Sequence, residues 1–390
     1  AALYSGKALS FDGVNDKVNI TTDDLDLQEF SIVQYINLGA TTTSKIFFSN
    51  YGSGNGFATG VSDSTANVPK FYTKGTSSDT LFGSFALNAG EWYQIVATYD
   101  GATKKIYVNG VLDTSVVKSG GIVYTNATNQ IGALSGGNTQ ALDGQITNTK
   151  IFNTALTAAQ IADLYNFPEK IVPTGVDNTA LKLWLPMMEG AGTKCLDGAS
   201  LNTATERVEN GDFSEGTTGW VGNPETTLSV TNGQLDIQSA AASQQNGAAF
   251  SEVNFTSGRY YLFQLDIVSC NNPAQIRIGT SNSATNYSQN IWASGEIGVG
   301  THSILWLAPS DYTYLSIGGR NDVTTLVIDN VSVKEINVGN ISGATWTNGI
   351  GSPVAQSSVI DWNKTILDKT NAVLIPQGIT SGRDLLGNLF

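Results

Sequence analysis

Acidic side chains are abundant in this chain and histidine is almost absent, so carboxylate chemistry is the first to test. There are 33 Asp and Glu, 20 Lys and Arg and one His, a formal net charge of −13 over 390 residues. Glycoside hydrolysis needs two carboxylates facing one cleft, ~5–5.5 Å apart for retention or ~6.5–9.5 Å for inversion. On a strand such acids stand two apart, because alternate side chains share a face. The nearest run, Asp24-Leu25-Asp26-Leu27-Gln28-Glu29, puts its third acid one position late and so on the opposite face. A solvated loop or strand start accounts for those acids. His302 excludes two-histidine zinc sites and HExxH hydrolysis, and no Gly-x-Ser-x-Gly elbow is present for it to serve. We expect it to be an ordinary strand residue. Gly52-Ser53-Gly54-Asn55-Gly56 lacks the Lys-Ser/Thr ending of a phosphate loop and reads as turns. Cys195 and Cys270 form no CxxC pair and read as small buried hydrophobes.

With catalysis unsupported, the aromatics remain. A sugar ring stacks its C–H face on an aromatic face while amides and carboxylates take its hydroxyls. Trp220, Tyr261, Trp292 and Trp306 are the candidates for such a platform. Trp306 alternates with Leu305 and Leu307, and Trp292 sits in a loop-like stretch before Ala293-Ser294-Gly295. The competing reading makes Trp220 and Trp306 packing residues of a core or sheet. The same aromatics also suit a protein–protein contact. Both alternatives stay open on sequence alone.

The elements that must position these residues are strands. Val, Ile, Thr, Tyr and Phe recur in short runs between Gly, Asn, Asp and Ser clusters, the pattern of antiparallel sheets. Lys105-Ile106-Tyr107-Val108, Asn109-Gly110 and Val111-Leu112-Asp113 form the clearest hairpin, with Asn-Gly supplying both positive-φ turn positions. One helix is predicted over 157–166, with Thr157 as cap and Ile161, Leu164 and Tyr165 as its apolar stripe. A Pro- and Gly-rich stretch over 167–175 marks a boundary. In 205–336, Tyr261, Phe263, Leu265 and Ile267 alternate with polar positions, as in a sheet with one face in the core. The expected fold is all-β: two consecutive antiparallel β-sandwich (jelly-roll) domains at 1–167 and 205–336, a connector at 168–204 and an irregular C-terminal tail at 337–390.

Two resemblances sharpen this. The first domain resembles the concanavalin A-like, laminin-G-type jelly rolls. The matching residues are Ala8-Leu9-Ser10-Phe11-Asp12-Gly13-Val14-Asn15-Asp16-Lys17-Val18, Gly90-Glu91-Trp92-Tyr93-Gln94-Ile95-Val96, Ile106-Tyr107-Val108-Asn109-Gly110 and Leu142-Asp143-Gly144-Gln145-Ile146, closed by Ile151-Phe152-Asn153. Gln34-Tyr35-Ile36-Asn37 departs from the Ala-Trp-Val type run common there. The second domain is similar to carbohydrate-binding-module jelly rolls. It opens on Val208-Glu209-Asn210-Gly211-Asp212-Phe213 with Gly219-Trp220 and closes on Leu326-Val327-Ile328-Asp329-Asn330-Val331-Ser332-Val333. That resemblance implies a structural Ca2+ held by Asn210, Asp212 and Asp329. Asp12, Asp16 and Asp143 could gather similarly in the first domain, since hard cations take Asp, Asn and carbonyl oxygens. The run Leu374-Ile375-Pro376-Gln377-Gly378 with Gly382-Arg383-Asp384 looks like segments of bacteriophage surface proteins.

Together these readings lead to a non-enzymatic virion or cell-surface adhesion protein, a bacteriophage head fibre, spike or tail fibre component recognising host glycans. A purely structural decoration or fibre protein and an accessory region of a secreted glycoside hydrolase are the alternatives. The expected partners are cell-surface glycans or polysaccharide and other virion or fibre subunits, in a homo-oligomer. A chain this acidic repels nucleic acid and anionic membranes, and no run approaches the roughly 18–20 apolar residues of a span. The Ala1 start and abrupt Leu389-Phe390 end are read as a processed start and a chain that continues.

Overall fold

The computed structural model describes residues 7–22, 25–75, 78–118, 120–125, 128–135, 139–168, 170–224, 226–239, 248–281, 287–291, 297–319, 324–349, 366–367 and 374–375. The protein is all-β and antiparallel, as the residue pattern predicted. It divides into two units. One contains the described residues up to Thr203 together with those from Asn337 onward, and the other is Ala204–Ile336.

The first unit is a sandwich of two eight-stranded sheets. One sheet runs, in spatial order, Val111–Val117, Thr103–Val108, Trp92–Tyr99, Phe30–Leu38, Asp143–Phe152, Lys7–Asp12 and Thr345–Asn348. Leu181–Leu185 lies beside Asp143–Phe152 on the same edge as Lys7–Asp12, further along the strand. The facing sheet runs Lys194–Leu196, Val338–Ser342, Lys17–Ile20, Thr128–Ile131, Ile46–Gly52, Asn55–Val61, Pro69–Lys74 and Ser78–Phe82. Phe30, Phe48, Phe57 and Phe71 fill the space between them, with the Phe30 and Phe57 ring centroids 4.3 Å apart.

Phe30–Leu38 shows why the first sheet is covered on both sides. Phe30, Ile32, Ile36 and Leu38 point into the sandwich, while Val33 and Tyr35 point outward into a second apolar cluster. Helix Ala158–Asn166 covers that outer cluster with Ile161 and Leu164, and the Tyr35 hydroxyl donates to the Leu164 carbonyl at 2.8 Å. Thr157 caps the helix through a reciprocal pair with Gln160. Gln34, in the departing run, lies inside the sandwich and accepts from Thr59 of the facing sheet at 2.9 Å. The Asn109-Gly110 hairpin is present with φ of 50° and 80°.

Two segments have a different place from the one the sequence suggested. Residues 168–204, expected as a connector, supply Leu181–Leu185 to one sheet and Lys194–Leu196 to the other. The start of the expected tail supplies Val338–Ser342 and Thr345–Asn348, which pair with Lys17–Ile20 and Lys7–Asp12. Leu183, Leu185 and Cys195 are buried in the sandwich core. Short runs of this kind look like linkers locally, because their ladder partners lie up to several hundred residues away. The chain thus leaves the first unit after Thr203, builds the second, and returns at Asn337 to finish the first.

Where it leaves and returns, the backbone is stapled. Asp197 N–H donates to the Asn337 carbonyl at 3.2 Å, and Asn337 N–H donates to Ser200 Oγ at 2.9 Å. The buried Asp197 carboxylate accepts from the N–H groups of Trp184 and Ala199.

The second unit has two five-stranded sheets. One is Trp220–Gly222, Ala248–Phe255, Tyr312–Gly319, Ala274–Gly279 and Tyr287–Asn290; the other is Thr226–Thr231, Gln234–Ser239, Thr324–Ile336, Tyr260–Cys270 and Gly300–Leu307. The predicted alternation holds, since Tyr261, Phe263, Leu265 and Ile267 all join its core. Ile366–Leu367 and Leu374–Ile375 pair as a short two-stranded ladder.

Candidate functional site

The aromatics named from sequence mostly face inward. Trp220 is 4% exposed, donates from Nε1 to the Glu209 carbonyl, and packs on Phe213 with centroids 5.5 Å apart. Tyr261 is fully buried, and its hydroxyl accepts from Thr256 N–H at 2.8 Å. Trp306 is half-buried among Phe255, Phe263 and Tyr312, with centroids 5.8–6.1 Å away. It stands opposite Tyr261 in the ladder and therefore on the same inner face. Trp220 and Tyr261 are corrected to core residues, because neither leaves a ring face for a ligand. Trp292 lies outside the described residues. Removing a core aromatic of this size costs about 3–5 kcal/mol. Trp220→Ala is therefore expected to lower the thermal transition of the second unit in calorimetry, and an unchanged transition would contradict the core assignment.

Several of the calcium-ligand candidates take part in local hydrogen bonds. The Asn210 amide donates to the carbonyls of Gly216 and Thr218 while its oxygen accepts from Glu215 N–H, closing the 210–218 loop. Asp212 accepts from Ser214, and Asp329 from Asn330 N–H. The structure does bring the two motifs together, through Val331 N–H donating to the Gly211 carbonyl at 2.8 Å. In the first unit Asp12 and Asp143 are ladder partners, and Asp16 accepts from Asp12 N–H. Burial, opposed by that hydrogen bond and reinforced by the neighbouring Asp12, raises the Asp16 carboxyl above its usual range. Among the described residues, no three His, Cys, Asp or Glu side chains form a cluster. His302 is a strand residue whose Nε2 lies 2.7 Å from the Gly298 carbonyl. Asp26 accepts from the Asn50 amide.

An aromatic platform exists on a different face, the outer face of the second sheet of the first unit. Ladder register fixes which side chains share it. Lys194, Asn340, Asn19, Gln130, Ser49, Ala58, Tyr72 and Thr80 stand successively opposite one another across the eight strands. The next row includes Thr128, Tyr51, Gly56, Lys74 and Ser78. Ser135 folds back over the middle, its N–H on Ser49 Oγ and its hydroxyl on the Thr128 carbonyl. That covers Ser49 and Gln130, and Gln130 donates to Asn19 Oδ1 at 2.7 Å.

Beside this strap, Tyr51 and Tyr72 meet edge to face, centroids 6.0 Å apart. They come from strands two apart, and the strand between them carries only Gly56, Ala58 and Gly60 on this face. Gly56 is obligatory there: its φ is +114°, and a Cβ would sit 2.0 Å from the Asn50 carbonyl oxygen. The missing side chain lets two half-buried rings lean together over a flat floor. Burial and the adjoining Tyr51 push the Tyr72 phenol up to about 12, so that ring stays a neutral phenol at physiological pH. In sequence the only trace of it is the alternation Lys70, Tyr72, Lys74 after the run Gly56-x-Ala58-x-Gly60.

Comparison with known proteins agrees with the architecture. Residues 12–162 match the family model Laminin_G_3, the Concanavalin A-like lectin/glucanases superfamily. No curated protein matches the sequence. Among solved structures, a candidate carbohydrate-binding protein from Bacteroides ovatus ATCC 8483 is 18% identical, with TM-score 0.40, covering 50% of this chain and 55% of that one. The chain thus spans little more than half of that relative's length. Domain 4 of AbnA, a GH43 extracellular arabinanase of Geobacillus stearothermophilus in complex with arabinotriose, is 19% identical with TM-score 0.34, covering 40% and 76%. The CBM40 of the Ruminococcus gnavus IT-sialidase, bound to α2,3-sialyllactose, is 11% identical with TM-score 0.35, covering 42% and 100%. At these identities and TM-scores each likeness is distant. Over residues 12–162 the chain carries a laminin-G-type, concanavalin A-like domain.

Proposed function

We propose that this is a non-enzymatic glycan-binding protein of an extracellular or virion surface, and that the Tyr51–Tyr72 platform is where the sugar stacks. The observation that carries this is the aromatic pair over Gly56 and Ala58, on the open face of a domain matched by a lectin and glucanase family. Stacking on an aromatic face with flanking polar groups is how such sites hold sugar rings. The phage-fibre setting and the homo-oligomer rest on the sequence resemblance and on the avidity that repeated weak sites provide. Light scattering on the purified chain tests the oligomer.

The site is tested by a glycan array followed by calorimetric titration of the strongest ligand. Tyr72→Ala removes one ring and is expected to weaken binding roughly tenfold, from about 1–1.5 kcal/mol of stacking. The thermal transition serves as a folding control. Binding unaffected by this change would move the site elsewhere, and no glycan bound at all would overturn the reading. One feature favours a purely structural role: the edge strand Val111–Val117 exposes Val111 at 69% and Val117 at 80%. An assembly surface would present such an edge. An array without hits together with a stable oligomer would select that alternative.

A further inference from the structure

The distribution of charge on the platform's face specifies more than a generic sugar. The chain has 33 acidic residues against 20 basic ones, yet the eight strands of this sheet reverse the ratio. They carry Lys17, Lys70, Lys74 and Lys194 and a single carboxylate, Asp79. Register separates the two signs by face. Lys70 and Lys74 flank Tyr72 at alternate positions of one strand, and Lys194 and Lys17 share the outward rows with Asn340 and Asn19. Asp79 stands opposite the fully buried Thr73, on the inner face, where its Oδ2 lies 3.7 Å from the ammonium groups of Lys104 and Lys118.

The two lysines beside Tyr72 differ in what they can do. Lys70 is 6% exposed and holds Asp63 at 2.6 Å, so its charge is spent in closing a loop. Lys74 is half-buried, and it is in one row with Gly56 and Tyr51. Its backbone is fixed by Val123 N–H donating to its carbonyl at 2.8 Å. A ring lying over Gly56 against Tyr51 and Tyr72 would therefore have an ammonium group at its edge.

We infer that this platform takes acidic sugars, a uronic-acid-type ring stacked at Tyr51 and Tyr72 with its carboxylate on the Lys74 ammonium. The inference rests on the glycan-binding reading of the same site. It follows from charge complementarity: a face with outward lysines and no outward strand carboxylate, on a strongly acidic chain, attracts an anion where the rest of the molecule repels one. The lysine tip is a point charge on a flexible stem, suited to following a carboxylate rather than gripping it in one geometry.

The experiment uses the full chain with two polymers of one backbone, polygalacturonate and its fully methyl-esterified, neutral form. Polygalacturonate is expected to bind at least roughly tenfold tighter, the worth of one charge-assisted hydrogen bond, with affinity falling as salt is raised from 50 to 500 mM. Lys74→Met, which keeps an unbranched side chain, is expected to abolish that preference, with the thermal transition as the folding control. Equal binding of the two polymers, or a preference that survives Lys74→Met, would overturn the inference and leave the glycan reading standing. If neither polymer nor any sugar of the array binds, both readings fail together.

Discussion

A chain ended at Ile336 is expected to lose the folded first unit while the second, Ala204–Ile336, keeps its own transition. Truncation there removes Val338–Ser342 and Thr345–Asn348. Lys17–Ile20 and Lys7–Asp12 would each lose a ladder neighbour, and Lys194–Leu196 would lose its ladder partner in the sheet. Val338, fully buried, and Ala344, 8% exposed, would leave the core, and Cys195 would be uncovered. Each fully buried aliphatic contributes about 1.5–3 kcal/mol, and the lost ladder bonds about 0.5–1.5 kcal/mol each. The total is on the order of 5 kcal/mol or more, a large fraction of the 5–15 kcal/mol that holds a typical domain. Calorimetry of the full and shortened chains checks this. Two undiminished transitions in the shortened chain would show that the returning strands are dispensable.

The second large effect is a loss of stability as pH rises through neutrality. Glu189 and Asp197 are buried in the first unit, and burial pushes each carboxyl up to about 7 against several backbone hydrogen bonds that pull it down. Glu189 Oε1 accepts from Leu196 N–H at 2.7 Å, while Glu189 Oε2 and Asp197 Oδ2 are buried without a hydrogen-bond partner. An orphan carboxylate oxygen is tolerable when it carries a proton and expensive when it carries charge. In the unfolded chain these groups ionise at ordinary values near 4.5 and 3.8. Between those values and about 7 the folded state binds more protons than the unfolded one, so stability falls across that window. Each group contributes on the order of 3 kcal/mol to that fall.

The first unit is therefore expected to be most stable in weak acid and to melt on the order of 10 °C lower at pH 8 than at pH 5. Glu189→Gln and Asp197→Asn should flatten the profile, since neither replacement ionises. Above pH 8 these two carboxyls add no further decline. Burial holds the Lys104 amine down to about 8, so that group adds stability as pH climbs from there toward 10.5. A flat profile from pH 5 to 8 in the unmodified protein would refute the assignment. Because Asp197 also fastens Trp184 and Ala199 beside the staple to Asn337, weakening should begin where the chain leaves and re-enters the unit.

Much of the fold follows from local pattern. The helix cap at Thr157, the Asn109-Gly110 hairpin and the alternation of Tyr261, Phe263, Leu265 and Ile267 are decided by neighbours within a few residues, and each is present. The laminin-G-type motifs are legible for the same reason, since their spacing mirrors strand and turn lengths. The platform was not legible. Tyr51 and Tyr72 are 21 residues apart, and although Gly56-Phe57-Ala58-Thr59-Gly60 falls between them in sequence, only ladder register shows that its small residues share a face with both rings. Trp220 and Tyr261 misled for a related reason: residue type says an aromatic is suited to stacking, and only packing says which face it turns.

What the sequence determined by itself was the all-β class, the acidic surface and the lack of a histidine-based catalytic set, because composition and two-residue periodicity carry these without reference to distant partners. What the tertiary structure decided was closure and placement. It drew the strands of 181–196 and 338–348 into the first sandwich, turned Trp220 and Tyr261 into core, and set Tyr51, Tyr72 and Lys74 side by side. Each of these depends on ladder register between segments far apart in the chain, and register is fixed by the summed burial of whole sheets rather than by any one segment.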